Sequence, residues 1–86
     1  MQGTLSGQVA EWRSSKRWKR LRLRILARDN ETCQECGALA QEVHHINPPM
    51  NAPTRACAYA RMWTEEGLVA LCVKCHRKAD AEQGAA

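Results

Sequence analysis

The chain has 86 residues, with no Phe, five Cys and three His. A chain of this size buries only about 60% of its unfolded surface, so its core is marginal and usually needs a disulfide, a metal or a partner. No stretch approaches the roughly 20 apolar residues of a membrane span, and no basic N-terminal region precedes an apolar run. We therefore expect no signal peptide and a cytoplasmic location, where cysteines bind metal more often than they form disulfides.

Positive charge is concentrated in one segment. The formal net charge is +4, yet residues 13–28 contain eight basic residues and no acidic one, so the other seventy residues carry a net charge of −4. Such concentration predicts a polyanionic partner. A helix face that is merely solvated is the alternative, but such faces usually alternate the sign of their charges.

The first part of the chain predicts an arm followed by a basic helix. We expect a flexible arm over residues 1–12, a single domain over 13–83 and a disordered tail over 84–86. A helix is predicted over 14–29, where a serine caps the N-terminus. The apolar side chains that recur at helical spacing within it, and so predict its buried stripe, are Trp18, Leu21, Ile25 and Leu26.

Two CxxC pairs, 35 residues apart, predict a metal site. Their members are Cys33 and Cys36, then Cys72 and Cys75. Four thiolates form the closed tetrahedral set that is typical of structural zinc. A redox CxxC or a pair of disulfides is the alternative, but the redox motif belongs to a βαβ context that this chain lacks. Gly37 relieves the turn after the first pair, and Cys57 is predicted to be a small buried residue.

Adjacent histidines lie in a predicted strand. The run Val43-His44-His45-Ile46 has strand character and ends at Asn47-Pro48-Pro49. Because neighbouring side chains of a strand point to opposite faces, His44 and His45 should have different roles.

Further elements are expected after this strand. Residues 47–67 should contain a short helix, with Pro53 in its first turn and Gly67 as the left-handed residue that follows it. A strand over 68–71 and a helix from about Val73 to Glu82 complete the prediction.

Together these motifs resemble the HNH endonuclease family, and they are most similar to its four-cysteine branch of phage, prophage and restriction-type nucleases. The resemblance covers roughly residues 16–80. The matching residues are Trp18-x-x-Leu21-Arg22-x-x-Ile25-Leu26-x-Arg28-Asp29, Cys33-x-x-Cys36, Val43-His44-His45-Ile46-x-Pro48 and Leu68-x-x-Leu71-Cys72-x-x-Cys75-His76-x-Lys78.

This resemblance implies a small α+β fold, namely a treble-clef-like ββα-metal unit with an N-terminal basic helix and a structural zinc held by the four cysteines. It also implies that His44 and His76 bind one catalytic divalent ion (Mg²⁺, Mn²⁺, Ni²⁺ or Zn²⁺) and that His45 is the general base. A neutral imidazole is suited to deprotonating water near neutral pH. An ion with few protein ligands keeps positions open for a phosphate.

The implied reaction is hydrolysis of phosphodiester bonds in DNA, in double strands and with low sequence specificity, leaving a 5′-phosphate and a 3′-hydroxyl. Small phage members of the family work beside packaging machinery, so a protein partner of that kind is an expectation, and the oligomeric state stays open. The basic side chains that we expect to contact DNA phosphates are Arg17, Arg20, Arg24, Arg28, Arg77 and Lys78. For the last two, exposed helix residues without a ligand are an equal alternative.

One position departs from the family pattern. Gly67 stands where the family has its middle Asn, which pins the loop between the strands. Asn51, Glu65 or Glu66 are candidates to compensate. The alternative function is therefore a catalytically weak or inactive zinc-stabilised DNA-binding module. A protein-interaction zinc module is a weaker alternative, because the basic helix argues against it.

Overall fold

The computed structural model describes residues 4–84, and the predicted small α+β class is confirmed. Residues 1–3 and 85–86, which belong to the predicted arm and tail, lie outside the described residues. Between residues 4 and 84 no helix is long and apolar enough to cross a membrane. In chain order the elements are α1 (Leu5–Arg13), α2 (Lys16–Arg28), β1 (Glu42–His45), α3 (Arg55–Trp63), β2 (Leu68–Leu71) and α4 (Val73–Gly84).

Helix α1 occupies most of the segment for which a loose arm was predicted. The Thr4 side chain accepts the N–H of Gly7 at 3.0 Å and caps the helix, and Val9 is buried. The Trp12 ring packs edge-on against Tyr59 and Trp63 of α3, at centroid distances of 5.7 and 6.4 Å. The prediction of an irregular segment was wrong here because these partners are tertiary and leave no helical periodicity in the local sequence.

Helix α2 forms as the apolar stripe predicts. Ser15 caps it by accepting the N–H of Trp18 at 3.1 Å. Leu21, Ile25 and Leu26 are buried in the core, and Trp18 packs against that core from its edge. No glycine ends this helix. Instead, residues 30 and 31 take the left-handed conformation, with positive φ values of 55° and 52°.

The two strands form an antiparallel hairpin. Glu42 pairs with Leu71, and His45 pairs with Leu68. Val43 and Ala70 pair within the hairpin and face the core formed with α2. Helix α4 begins at Val73, directly after β2, and contacts both strands.

Gly67 is not a left-handed residue, contrary to the prediction. Helix α3 ends at Trp63, and residues 65–67 form a 3-10 turn that leads straight into β2. The positive-φ residues among the described ones do not include Gly67. A Cβ built there would meet no atom within 4 Å, so the position tolerates a side chain. Likewise α3 begins after Thr54, whose side chain accepts the N–H of Cys57 at 3.0 Å, so the helix lies wholly beyond Pro53.

Arg28 and Asp29, an ion pair at the end of α2, connect this helix to β2 through hydrogen bonds to the strand backbone. Both carboxylate oxygens of Asp29 accept from the Arg28 guanidinium at 2.9 Å, and one also accepts the N–H of Ala70 at 2.9 Å. Arg28 donates further to the carbonyls of Glu65 and Leu68 at 3.0 and 2.7 Å. The Arg28 hydrogen bond holds the pKa of Asp29 below its usual value, against the opposing effect of burial.

We predict that Asp29→Asn lowers the free energy of unfolding by about 2 kcal/mol at pH 7, because the Arg28 donors lose their charged acceptor. A carboxyl whose folded pKa is depressed stabilises the fold above its unfolded pKa, near 3.8, and loses that contribution as pH falls further. The variant should therefore lack part of the acid-induced loss of stability below about pH 4. Urea unfolding of both proteins at pH 7 and pH 3.5 measures this. Equal stabilities at pH 7 would contradict the role of the ion pair, and Glu82→Gln, on the exposed side of α4, is the control.

Candidate metal centres and adjoining recess

The four cysteines predicted as ligands come together. One sulfur from each of Cys33, Cys36, Cys72 and Cys75 lies within 4.8 Å of every other. The cluster joins the turn after α2 to the start of α4, with Cys33 buried and Cys36 exposed. Four sulfurs at this separation match the donor set of a tetrahedral zinc site. Cys57 lies apart from the cluster on α3 and is half-buried rather than fully buried.

Backbone geometry shapes the first CxxC turn. Gly37 takes a φ of 82°, so here the glycine does occupy the left-handed region. The N–H of Gly37 donates to the carbonyl of Cys33 at 2.9 Å, and the N–H of Gln34 donates to the carbonyl of Ala70 at 3.0 Å. The turn is thus fixed to β2, next to the second CxxC pair.

The thiols of the cluster differ in acidity. Burial raises the pKa of Cys33, but backbone N–H groups of Cys72, Cys36 and Glu35 outweigh burial and lower the pKa to about 6. Hydrogen bonding to Cys72, with burial, raises the pKa of Cys75 to about 12. Four neighbouring thiols cannot all lose their protons without a compensating cation. A divalent ion is what would stabilise them together.

A second cluster unites two predicted histidines with an unpredicted aspartate. Ligand atoms of His44, His76 and Asp80 all lie within 4.8 Å of one another. His44 Nδ1 lies 3.7 Å from Asp80 Oδ1, and His76 Nε2 lies 3.6 Å from Asp80 Oδ2. His44 comes from β1, while His76 and Asp80 are one helical turn apart on α4. That i, i+4 spacing is the signal in the sequence that could have revealed Asp80.

Two neighbouring side chains hold these histidines in place. Glu42 Oε1 accepts from His76 Nδ1 at 2.5 Å, and His76 Nε2 faces Asp80. The Gln83 amide nitrogen lies 3.2 Å from His44 Nε2 and donates to the carbonyl of Ile46 at 3.0 Å. Burial, with the nearby His76, lowers the pKa of His44. His44 is therefore neutral at pH 7, which is the form that binds metal.

His45 faces other elements, as the alternation along a strand predicts. Its ring stacks on Trp18 of α2 at a centroid distance of 5.0 Å. Its Nε2 lies 3.2 Å from the carbonyl oxygen of Met62. Because a carbonyl only accepts, Nε2 carries the proton and Nδ1 keeps its lone pair. Burial lowers the pKa of His45 to about 4, with the charge of Arg13 contributing, so the ring is neutral at pH 7.

Both histidines of β1 nevertheless open onto one recess of about 520 Å³. We call it the histidine recess. Asn51 also lines it, whereas Glu65 is paired with Arg24 at 3.0 Å and Glu66 lies outside the recess. Of these three candidates to compensate for Gly67, Asn51 is the one that lines the recess. The charged and imidazole side chains that line the recess are Arg13, Arg22, Glu42, His44, His45, His76 and Asp80.

None of the six basic residues predicted to contact DNA lines this recess. Arg17, Arg20 and Arg24 line a separate depression beside Trp63. The Arg28 guanidinium uses four of its five N–H groups within the fold. The hydrogen bonds of Arg28 therefore contribute to the fold.

The two basic residues predicted on α4, Arg77 and Lys78, are exposed. They follow His76 directly along that helix, but neither lines the histidine recess.

The comparisons with known proteins agree with this geometry. No protein-family model and no curated protein matches the chain. A solved structure does, the crystal structure of the HNH endonuclease of deep-sea thermophilic bacteriophage GVE2 with manganese ion. The likeness has a TM-score of 0.82 and 29% identity, over 94% of this chain and 87% of that one.

The chain has the HNH endonuclease fold. The resemblance to the four-cysteine branch of that family is confirmed by this match, together with the cluster of four cysteines.

We predict that the reduced protein binds one zinc ion at the cysteine cluster and that the fold depends on it. Cys72→Ser should abolish tight zinc binding and the cooperative thermal transition, because a structural zinc contributes folding free energy directly. Cys57→Ser removes a thiol outside the cluster and should change the melting temperature by less than about 4 °C. Metal analysis and far-UV circular dichroism measure both effects. A Cys72→Ser protein that melts like the unmodified chain would contradict the zinc site.

Proposed function

We propose that the chain is a metal-dependent DNA endonuclease that hydrolyses phosphodiester bonds. The observation that carries the proposal is the shared recess, in which His44, His76 and Asp80 form a metal-capable set beside the neutral base His45. The manganese in the related phage endonuclease supports a divalent ion here. Two imidazoles and one carboxylate suit Mn²⁺, Ni²⁺ or Zn²⁺ and do not exclude Mg²⁺.

The donor set fits a catalytic ion rather than a structural one. Three protein ligands leave coordination positions open, whereas the four cysteines close theirs. A divalent ion bound here supplies Lewis-acid polarisation and charge neutralisation at a phosphate. Glu42 would hold the proton on His76 Nδ1 and so keep Nε2 directed at the ion, an arrangement that generally strengthens metal binding.

His45 is proposed as the general base. Its Nε2 proton is engaged by the Met62 carbonyl, so Nδ1 is the atom that would take a proton from an attacking water. Stacking on Trp18 fixes the plane of the ring, and a fixed base reacts without the entropy loss of being positioned. The water oxygen would then bond to phosphorus as the bond between phosphorus and the 3′-oxygen breaks. The departing 3′-oxygen would take a proton from solvent, which gives a 5′-phosphate and a 3′-hydroxyl.

The substrate proposed is double-stranded DNA, recognised through its backbone with low sequence specificity. The exposed side chains Arg20, Arg77 and Lys78 are proposed to add phosphate contacts outside the recess. A partner from phage packaging remains a proposal that rests on the family resemblance alone. The competing function is a DNA-binding module without catalysis, which the Gly67 departure favours.

We predict that the protein nicks supercoiled plasmid in the presence of Mn²⁺ or another divalent ion, and that His45→Ala loses at least about a hundredfold in rate, the lower end for a general base. His45→Gln is the second variant, because an amide can still donate to the Met62 carbonyl while it cannot act as a base. Zinc content and circular dichroism report whether each variant is folded. Folded variants that cleave at the original rate would refute the mechanism. Binding to DNA without cleavage under any ion would favour the binding module.

A separate prediction concerns Asp80, which the sequence interpretation missed. Asp80→Asn should weaken Mn²⁺ binding at the histidine site by about tenfold or more, because a charged carboxylate ligand becomes a neutral amide. Isothermal titration calorimetry of the zinc-loaded protein measures this without reference to activity. Glu82→Gln removes an exposed carboxylate from the same helix and should leave Mn²⁺ affinity unchanged. Equal affinities for the Asp80→Asn and Glu82→Gln proteins would remove Asp80 from the ligand set.

A further inference from the structure

The arginine side chains of α2 contact different parts of the molecule. Arg17 donates to the Tyr59 hydroxyl at 2.7 Å and lies 4.0 Å from the centre of the Trp63 ring. Arg24 pairs with Glu65 at 3.0 Å. These side chains connect α2 to α3 and to the turn before β2, so much of the basic segment serves the fold.

Two other arginines point at the histidine recess instead. Arg22, half-buried on α2, and Arg13, at the exposed end of α1, both line it together with His44 and His45. Arg22 donates one N–H to the carbonyl of Gln41, the residue before β1. That contact anchors the guanidinium and leaves most of its five donors available to a ligand. Arg13 is close enough for its charge to act on His45.

The formal charges of the recess indicate what kind of ligand it accepts. Arg13 and Arg22 contribute two positive charges, and Glu42 and Asp80 contribute two negative ones. With a divalent ion at the His44 cluster, the recess gains two net positive charges. It would then favour an anion, and the planar guanidinium fork binds phosphate oxygens in pairs.

We propose that Arg13 and Arg22 form the phosphate-binding site of the histidine recess and hold the DNA strand that is cut. This inference rests on the proposed function and names the residues that seat its substrate. The contact between Arg22 and Gln41 ties the phosphate site to the start of β1. The same strand carries His44 and His45, so the bound phosphate and the two imidazoles keep a fixed relation.

Binding rather than cleavage is the direct test. We would measure the affinity of zinc- and Mn²⁺-loaded protein for a fluorescent DNA duplex over a range of salt concentrations. Every protein tested carries His45→Gln, so that the DNA stays intact. Arg13→Gln and Arg22→Gln are the test variants. Lys19→Gln is the matched control, because it removes one charge from an exposed position of α2 outside the recess.

We expect each arginine variant to bind about tenfold more weakly and to lower the slope of log K against log salt by about one, as loss of one phosphate contact does. Lys19→Gln should have a clearly smaller effect on both. Arg13→Gln leaves the Gln41 contact intact, so it decides the question if Arg22→Gln fails to fold. Arginine variants that bind as tightly as Lys19→Gln would overturn the proposal.

The outcomes separate this inference from the proposed function. If the unmodified chain never cleaves DNA but both arginine variants lose affinity, the nuclease assignment fails and the phosphate site stands. If the chain cleaves DNA and the arginine variants keep the control affinity, the nuclease assignment stands and the phosphate site fails.

Discussion

The convergence of four sulfurs is the constraint on which the rest of the molecule depends. The two CxxC pairs are 35 residues apart in the chain, yet their sulfurs lie within 4.8 Å of one another. An ion shared by the two pairs would therefore close the segment between them, including β1, α3 and β2, into one loop. Helix α4 starts at the second pair, so His76, adjacent to Cys75, takes its position from the cluster. In a chain with so small a core, a metal at this point would stabilise the fold and place a catalytic ligand through the same bonds.

Because side chains alternate along β1, its two histidines face different neighbours. One strand places His44 toward α4, where it meets His76 and Asp80, and places His45 toward α2 and α3, where Trp18 and the Met62 carbonyl fix it. Because the two rings contact different elements, their surroundings are set separately: His44 lies between the Gln83 amide and Asp80, whereas His45 donates from Nε2 and keeps a free Nδ1. A one-residue slip of β1 would exchange these surroundings. The pairing of His45 with Leu68, extended by Ile46 donating to the Gly67 carbonyl at 2.9 Å, opposes that slip.

Local patterns predict much of this, and tertiary partners account for what they miss. The stripe of Leu21 and Ile25, the cysteine spacing and the paired histidines each depend on neighbours in sequence, and the fold class follows from them. Helix α1 depends on Trp12 meeting an aromatic pair more than forty residues away, so its own sequence carries little signal. Gly67 was misjudged because a glycine after a helix suggests a left-handed cap, while here a 3-10 turn runs on into the strand.

The arginines of α2 show that a charge count can predict a polyanionic partner without predicting which residues bind it. Eight basic residues within sixteen indicate a polyanion, but the seven that lie on α2 are distributed around the circumference of that helix. The share that turns toward Glu65, Asp29 and the aromatic rings of α3 is neutralised or packed within the molecule. Only the side chains on the remaining faces can meet phosphate. Of those, Arg22 also lines the recess with the histidines. Its position beside His44 and His45, and not its membership in the basic run, is what distinguishes it from the other arginines of α2.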